Sequence, residues 1–215
     1  MYKRQVFTAP AVLVATGTKE RLLGIPGEEE HIGRGISYCA VCDGAFSRNQ
    51  EVAVIGGGNS ALEESVYLTQ FASKVYIVMR RDVFRAEQAV IEAARSNPKI
   101  EILQNYRPVQ VMDKEGKVGG LEIAHAQSGE KKLLPVTGIF PYIGADPVTG
   151  FLKELPVLDI QGYMLVNSEM ETVVPLLYGA GDVCQKGLRQ VVTAASDGAI
   201  AAQSAFQKLR SLALL

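Results

Sequence analysis

Tryptophan is absent from this chain, histidine occurs only at His31 and His125, and cysteine only three times. Three cysteines cannot build a disulfide scaffold, and two isolated histidines add little to a metal set. A basic excess is also missing. The 22 Lys+Arg stand against 23 Asp+Glu, a formal charge of −1, which gives no electrostatic footprint for nucleic acid. No apolar run approaches the ~18 residues that would span a bilayer. No charged segment followed by an apolar one opens the chain as a secretion signal would. The expectations are a cytoplasmic protein that binds neither nucleic acid nor membrane.

What is present is 215 residues, 47% hydrophobic and 21% charged, enough for one large or two small domains with a real core. The 21 glycines fall in clusters, as where backbone approaches a ligand. Residues 11–15 (AVLVA) read as a buried strand closed by the turn Thr16-Gly17. Leu23–Gly35, rich in Gly, Pro and Glu, reads as a linker. Glu51–Ile55 and Lys74–Met79 read as strands, with a helix over Asn59–Ala72 between them, a βαβ unit that implies a parallel sheet. A second helix is expected over Ala86–Ser96, then a strand at Ile100–Leu103. Segments near 106–112, 119–126 and 132–137 form an antiparallel meander. Strands follow at Gly138–Gly144 and Leu176–Ala180. A helix from about Leu188 to Leu209 closes the chain, with Val191, Ala195, Gly198, Ala202 and Ala205 inward. The two histidines read as ordinary surface or loop residues.

Two motifs carry chemistry. Gly56-Gly57-Gly58-Asn59-Ser60-Ala61 fits G-x-G-x-x-A and lies between a strand and a helix, the context in which that pattern binds a dinucleotide. Gly56 makes the tight turn, Gly58 admits a pyrophosphate to the helix N-terminus, and Ala61 permits close helix–strand packing. After the second strand an NAD site places an acidic residue for the ribose hydroxyl. Here stand Arg80 and Arg81, with Arg85 one turn further on, and guanidinium groups pair with a 2′-phosphate. The pattern points to NADP(H). A ligand-free glycine turn and a solvated basic cluster are the plainer alternatives. The second motif is Cys39-Ala40-Val41-Cys42-Asp43-Gly44. C-x-x-C spacing suits a redox disulfide, with Asp43 as proton donor to a leaving thiolate. An inert pair or a zinc site are the alternatives, the latter short of ligands, since only Cys184 and the scattered histidines remain.

CAVCDG, GGGNSALEE, RRDVFRA, GIFPYIG, GAGDV and RQVVTAASDG occur in that order. With them the chain resembles bacterial-type, low-molecular-weight thioredoxin reductases over nearly its whole length. The resemblance implies an α/β flavoprotein of two Rossmann-like, three-layer units. An NADPH domain at 23–137, carrying the redox C-x-x-C, would be inserted into an FAD domain split between 1–22 and 138–215. Electrons would pass from NADPH to FAD, to the Cys39/Cys42 disulfide, to thioredoxin, in an enzyme that is a homodimer at full length. Cys42 would face the flavin, Cys39 the partner protein, and Asp43 would donate the proton. Gly181 and Asp182 would hold the FAD ribityl region; Arg189, Gln190 and Val191 would pass the flavin ring; Thr16 and Gly17 would form a turn near the cofactor. A related flavoprotein that reduces a peroxiredoxin, or an inactive NADP-binding fragment, are the alternatives. Two features depart from the family. Met79 stands where a histidine commonly precedes the arginines, and no second G-x-G-x-x-G/A turn precedes Ala11, where the family binds the FAD pyrophosphate. Met1–Gln5 also does not read like a family start. The expectation is an N-terminally truncated FAD domain, poorly packed around Val12, Val14, Ile139 and Leu177.

Overall fold

The computed structural model describes residues 6–214, so Met1–Gln5 lie outside the described residues. In chain order the first elements are β1 (Val12–Val14), β2 (Thr18–Glu20), the short helix α1 (Ala40–Asp43), β3 (Glu51–Ile55), α2 (Asn59–Leu68), β4 (Lys74–Met79) and α3 (Gln88–Ser96). Then follow β5 (Ile100–Gln104), β6 (Tyr106–Lys114), β7 (Lys117–His125), β8 (Lys131–Leu134), β9 (Gly138–Pro141), β10 (Ala145–Pro147), β11 (Leu177–Gly179) and α4 (Val191–Ser211). The chain divides into two compact units. One holds the residues up to Glu20 and from Ala145 onward; the other is Arg21–Gly144.

The continuous unit is built on a four-stranded parallel sheet of order β5-β4-β3-β9. Strands β3, β4 and β9 are apolar at nearly every position because both faces are covered. Val52, Val54, Val75, Ile77 and Phe140 pack against Ala61, Leu62 and Leu68 of α2 and Ile91 and Ala94 of α3. The alternate residues Ala53, Ile55, Tyr76, Val78 and Ile139 face Val111, Val118, Leu121, Ile123 and Leu134 of the antiparallel sheet β6-β7-β8. The result is three layers of helix, parallel sheet and meander. α2 ends at Leu68, four residues before its expected limit, because the turn at 69–72 closes on the carbonyls of Val66, Tyr67 and Leu68.

Three expectations need correction here. Strand β9 pairs with β3, Val52 opposite Gly138 through Ile55 opposite Pro141, so 138–144 belongs to the continuous unit. Ile139 is accordingly fully buried. The stretch 23–35 is packed, not a linker. The Glu28 carboxylate, 1% exposed, accepts from the amides of Leu23 at 2.7 Å and Gly24 at 2.8 Å. His31 is also buried. Its Nδ1 lies 2.6 Å from the Gly27 carbonyl and its Nε2 2.9 Å from Asp113 Oδ2. That pair ties the segment to the β6–β7 hairpin.

The discontinuous unit holds the parallel pair β1–β11 and the antiparallel pair β2–β10. Val14, Leu152, Val157, Met164, Leu177, Val183 and Cys184 form its main cluster, while Val12 and Leu13 are about half exposed. Along α4 the buried residue is Ala201, packed with Tyr178 and Ala180, and Ala205 lies partly buried beside them. Val191, Ala195 and Ala202, expected inside, are exposed. No helix among the described residues is long and apolar enough to cross a membrane.

Candidate active site

In the continuous unit the chain leaves β3 through Gly56 with no room for a side chain. A Cβ there would stand 2.5 Å from the Tyr142 carbonyl oxygen and 2.9 Å from the Ala61 Cβ. Ala61 is itself buried, so its small side chain is what lets α2 begin this close to the sheet. Gly58 is the N-cap of α2 and offers no side-chain acceptor to the first-turn amides, and no acidic residue stands in that turn. Such a helix start favours an anion.

The expected nucleotide residues gather only in part. Arg85 is joined to the turn, its amide donating to the Gly57 carbonyl at 2.8 Å. Arg80 and Arg81, at the end of β4, and Ser60 on α2 are exposed. Asn59 is engaged by a neighbour: its Oδ1 accepts from the Glu87 amide at 2.7 Å. Met79 is buried, and its Cε lies 3.1 Å from where a Cβ on Gly57 would be.

Cys39 and Cys42 form a disulfide with Cα atoms 5.3 Å apart. The spacing follows from α1, whose N-cap is Cys39 and whose third residue is Cys42; the Cys42 amide donates to Cys39 Sγ at 3.1 Å. Cys42 is exposed, Cys39 half-buried. Two side chains absent from the sequence expectations hold this turn. The Tyr142 hydroxyl accepts from the Ala40 amide at 2.8 Å, and the Ser37 hydroxyl donates to Asp43 Oδ2 at 2.6 Å. Tyr142 lies inside the GIFPYIG motif, but nothing in that motif says where its hydroxyl goes; Ser37 carries no signal at all. Asp43 and Ser37 line a cleft of about 640 Å³, walled also by Arg34, Phe46 and Lys117.

In the discontinuous unit the Thr16 hydroxyl donates to the Val148 carbonyl at 2.7 Å. Gly17, at φ +69°, accepts from the Val148 amide at 3.0 Å. Gly181, at φ +80°, donates to Asp197 Oδ2 at 3.0 Å, and Lys186 pairs with the same carboxylate. Among the described residues, Asp182 Oδ1 and Arg189 Nε are buried with no hydrogen-bond partner. The Arg189 guanidinium lies 4.4 Å from the centre of the Tyr163 ring. Burial, and then the Asp182 charge, raise the Glu20 carboxyl above its ordinary value against the opposing Arg189. Gln190 caps α4 and Val191 is exposed at its first position. Cys184 takes no part: burial, then Asp197, push its thiol up to about 11.

The chain matches the pyridine nucleotide-disulphide oxidoreductase family over residues 3–198. It is 43% identical over 208 residues to a thioredoxin reductase of Listeria monocytogenes, covering 97% of this chain and 65% of that protein. To the thioredoxin reductase of Bacillus subtilis it is 46% identical over 198 residues, 92% of this chain and 63% of that one. The solved thioredoxin reductase of Streptococcus pyogenes superposes with a TM-score of 0.89 at 44% identity, covering 94% of this chain and 66% of its own. This chain thus spans a little under two thirds of the length of these relatives.

Proposed function

Since the chain belongs to the pyridine nucleotide-disulphide oxidoreductase family, we propose that it forms part of an NADPH-dependent thioredoxin-disulfide reductase. The observation that carries this reading is the Cys39–Cys42 disulfide beside Asp43, in the same compact unit as the Gly56–Ala61 turn. NADPH and FAD, when bound, supply a hydride and a two-electron carrier, chemistry that no side chain here possesses.

The residues fit NADPH, and they fit FAD along its ribityl and ring region. The glycine turn and the uncapped start of α2 would take the nucleotide pyrophosphate, with Ala61 keeping the helix close and Asn59 and Ser60 opening its first turn. Arg80, Arg81 and Arg85 are exposed and would pair with the 2′-phosphate. In the discontinuous unit the unpartnered Asp182 Oδ1 and Arg189 Nε are an acceptor and a donor left for a polar ligand, and a ribityl chain suits them. Gly181, Gln190, Val191, Thr16 and Gly17 would complete the FAD contacts. At the dithiol, Cys42 would receive electrons, Cys39 would exchange with thioredoxin, and Asp43 would protonate the leaving thiolate. A homodimeric holoenzyme in the cytoplasm belongs to the same proposal.

The test is Cys39→Ser in the flavin-bearing enzyme. Thioredoxin reduction should vanish while NADPH still bleaches the flavin absorbance; undiminished turnover would sink the assignment.

A further inference from the structure

Ser37 stands two residues before Cys39 and belongs to neither motif. Its amide donates to the Ile139 carbonyl at 3.0 Å, which fixes residue 37 to β9 and so to the parallel sheet. Its hydroxyl makes two bonds of opposite sense. It accepts from the Cys39 amide at 3.2 Å and donates to Asp43 Oδ2 at 2.6 Å. A hydroxyl has one proton to give. The Asp43 contact is far shorter than the alternative to the Cys39 carbonyl at 3.4 Å, so the carboxylate takes it. One side chain thereby ties the backbone of the exchanging cysteine to the acid beside its partner.

We propose that Ser37 is a positioning residue for the proton transfer of thiol–disulfide exchange, an inference that rests on the redox reading of Cys39 and Cys42. With Oδ2 engaged as acceptor, a proton carried by Asp43 sits on Oδ1, and its direction is set by a hydroxyl anchored to the sheet. In the exchange, Cys39 ionises and its proton passes to Asp43. The Cys39 thiolate attacks one sulfur of an oxidised disulfide and forms a mixed disulfide. The other sulfur leaves as a thiolate and takes the proton from Asp43 Oδ1. The Cys42 sulfur then displaces the remaining partner sulfur, which receives the proton that Cys42 loses. Two thiols of this chain become one disulfide and one partner disulfide becomes two thiols, with two protons carried across.

The experiment compares the full chain with its Ser37→Ala, Ser37→Thr and Asp43→Asn variants. Each is reduced, freed of reductant and mixed with one of two probes in a stopped-flow instrument. Glutathione disulfide releases an alkyl thiolate that takes up a proton; 5,5′-dithiobis(2-nitrobenzoate) releases an aromatic thiolate that leaves without one. Ser37→Ala should slow reaction with glutathione disulfide about tenfold, the scale of a lost hydrogen bond to a charged group, and approach Asp43→Asn. Its rate with the aromatic disulfide, which needs Asp43 only at the ionisation of Cys39, should fall by no more than about threefold, and Ser37→Thr, which keeps the hydroxyl, should recover to within about threefold of the unaltered chain. Equal slowing with both probes would make Ser37 a structural residue and overturn the proposal. So would unchanged rates with both, or a Ser37→Thr as slow as Ser37→Ala. An unaltered dithiol that reacts no faster than free cysteine would instead bring down the redox reading, and this inference with it.

Discussion

Gly56 is the least replaceable of the expected nucleotide residues, since its missing Cβ is the space that the Tyr142 carbonyl and Ala61 occupy. Gly56→Ala should lower unfolding free energy by about 1–3 kcal/mol, an overpacking cost read from urea titration, and weaken nucleotide binding with it. Arg80 and Arg81 are the opposite case, exposed and replaceable without cost to the fold. The double change to alanine removes charge-assisted phosphate contacts worth roughly 1.5–3 kcal/mol and should weaken NADPH about tenfold to a hundredfold more than NADH. Titration with both nucleotides checks this; an equal loss would remove the arginines from phosphate recognition. His31 brings a dependence on pH. Burial lowers its basicity, but the Gly27 carbonyl and Asp113 outweigh that and hold the imidazole above its ordinary 6.5. A pKa raised in the folded state gives stability that is complete below the unfolded value and lost as pH rises through the folded one. The urea midpoint should therefore fall from about pH 6 to pH 8, and His31→Gln should flatten that slope. The sequence made Gly56, Ala61 and the cysteines legible, because each needs a particular residue type at a particular spacing. It could not reveal Ser37, His31 or Tyr142, whose roles depend on partners such as Asp113, 82 positions away from His31.

Among the elements, β3 and β4 have the bounds read from sequence, because their unbroken apolar runs have no reading other than doubly covered strands. The helix α4 illustrates the reverse. Alanine, glycine and serine occur on all its faces, so no apolar period marks an inner side, and the structure buries Ala201 while Val191 is 85% exposed. Residues 23–35 look like a linker because composition cannot tell a solvated glutamate from one that caps backbone amides. Glu28 is of the second kind. Glu28→Ala would leave two amides without their acceptor in a packed segment, at about 1–3 kcal/mol each. The expected outcome is a marked loss of denaturant stability and faster hydrogen exchange confined at first to this segment.

At the scale of the whole molecule, insertion of one unit into another came from the family resemblance, but its far boundary did not. GIFPYIG suits either parallel sheet equally, and only the pairing of β9 with β3 decides. A polypeptide of residues 21–144 should therefore fold cooperatively and bind NADPH. One ending at 137 lacks the buried Ile139 and Phe140 and should not, as a single thermal transition in one and none in the other would establish. The 215 residues contain one G-x-G-x-x-A turn, and two nucleotide cofactors each require donors for a pyrophosphate. This chain alone should bind NADPH yet hold FAD weakly, with little or no reductase turnover; stoichiometric flavin surviving gel filtration would refute that. The continuous unit also begins and ends at one place, for the Arg21 amide donates to the Gly144 carbonyl at 3.0 Å. A domain with touching ends behaves as a cassette. It can be grafted into a hairpin of an unrelated host, or its ends fused and the ring reopened at the Glu115-Gly116 turn, without any strand of its sheet being asked to move.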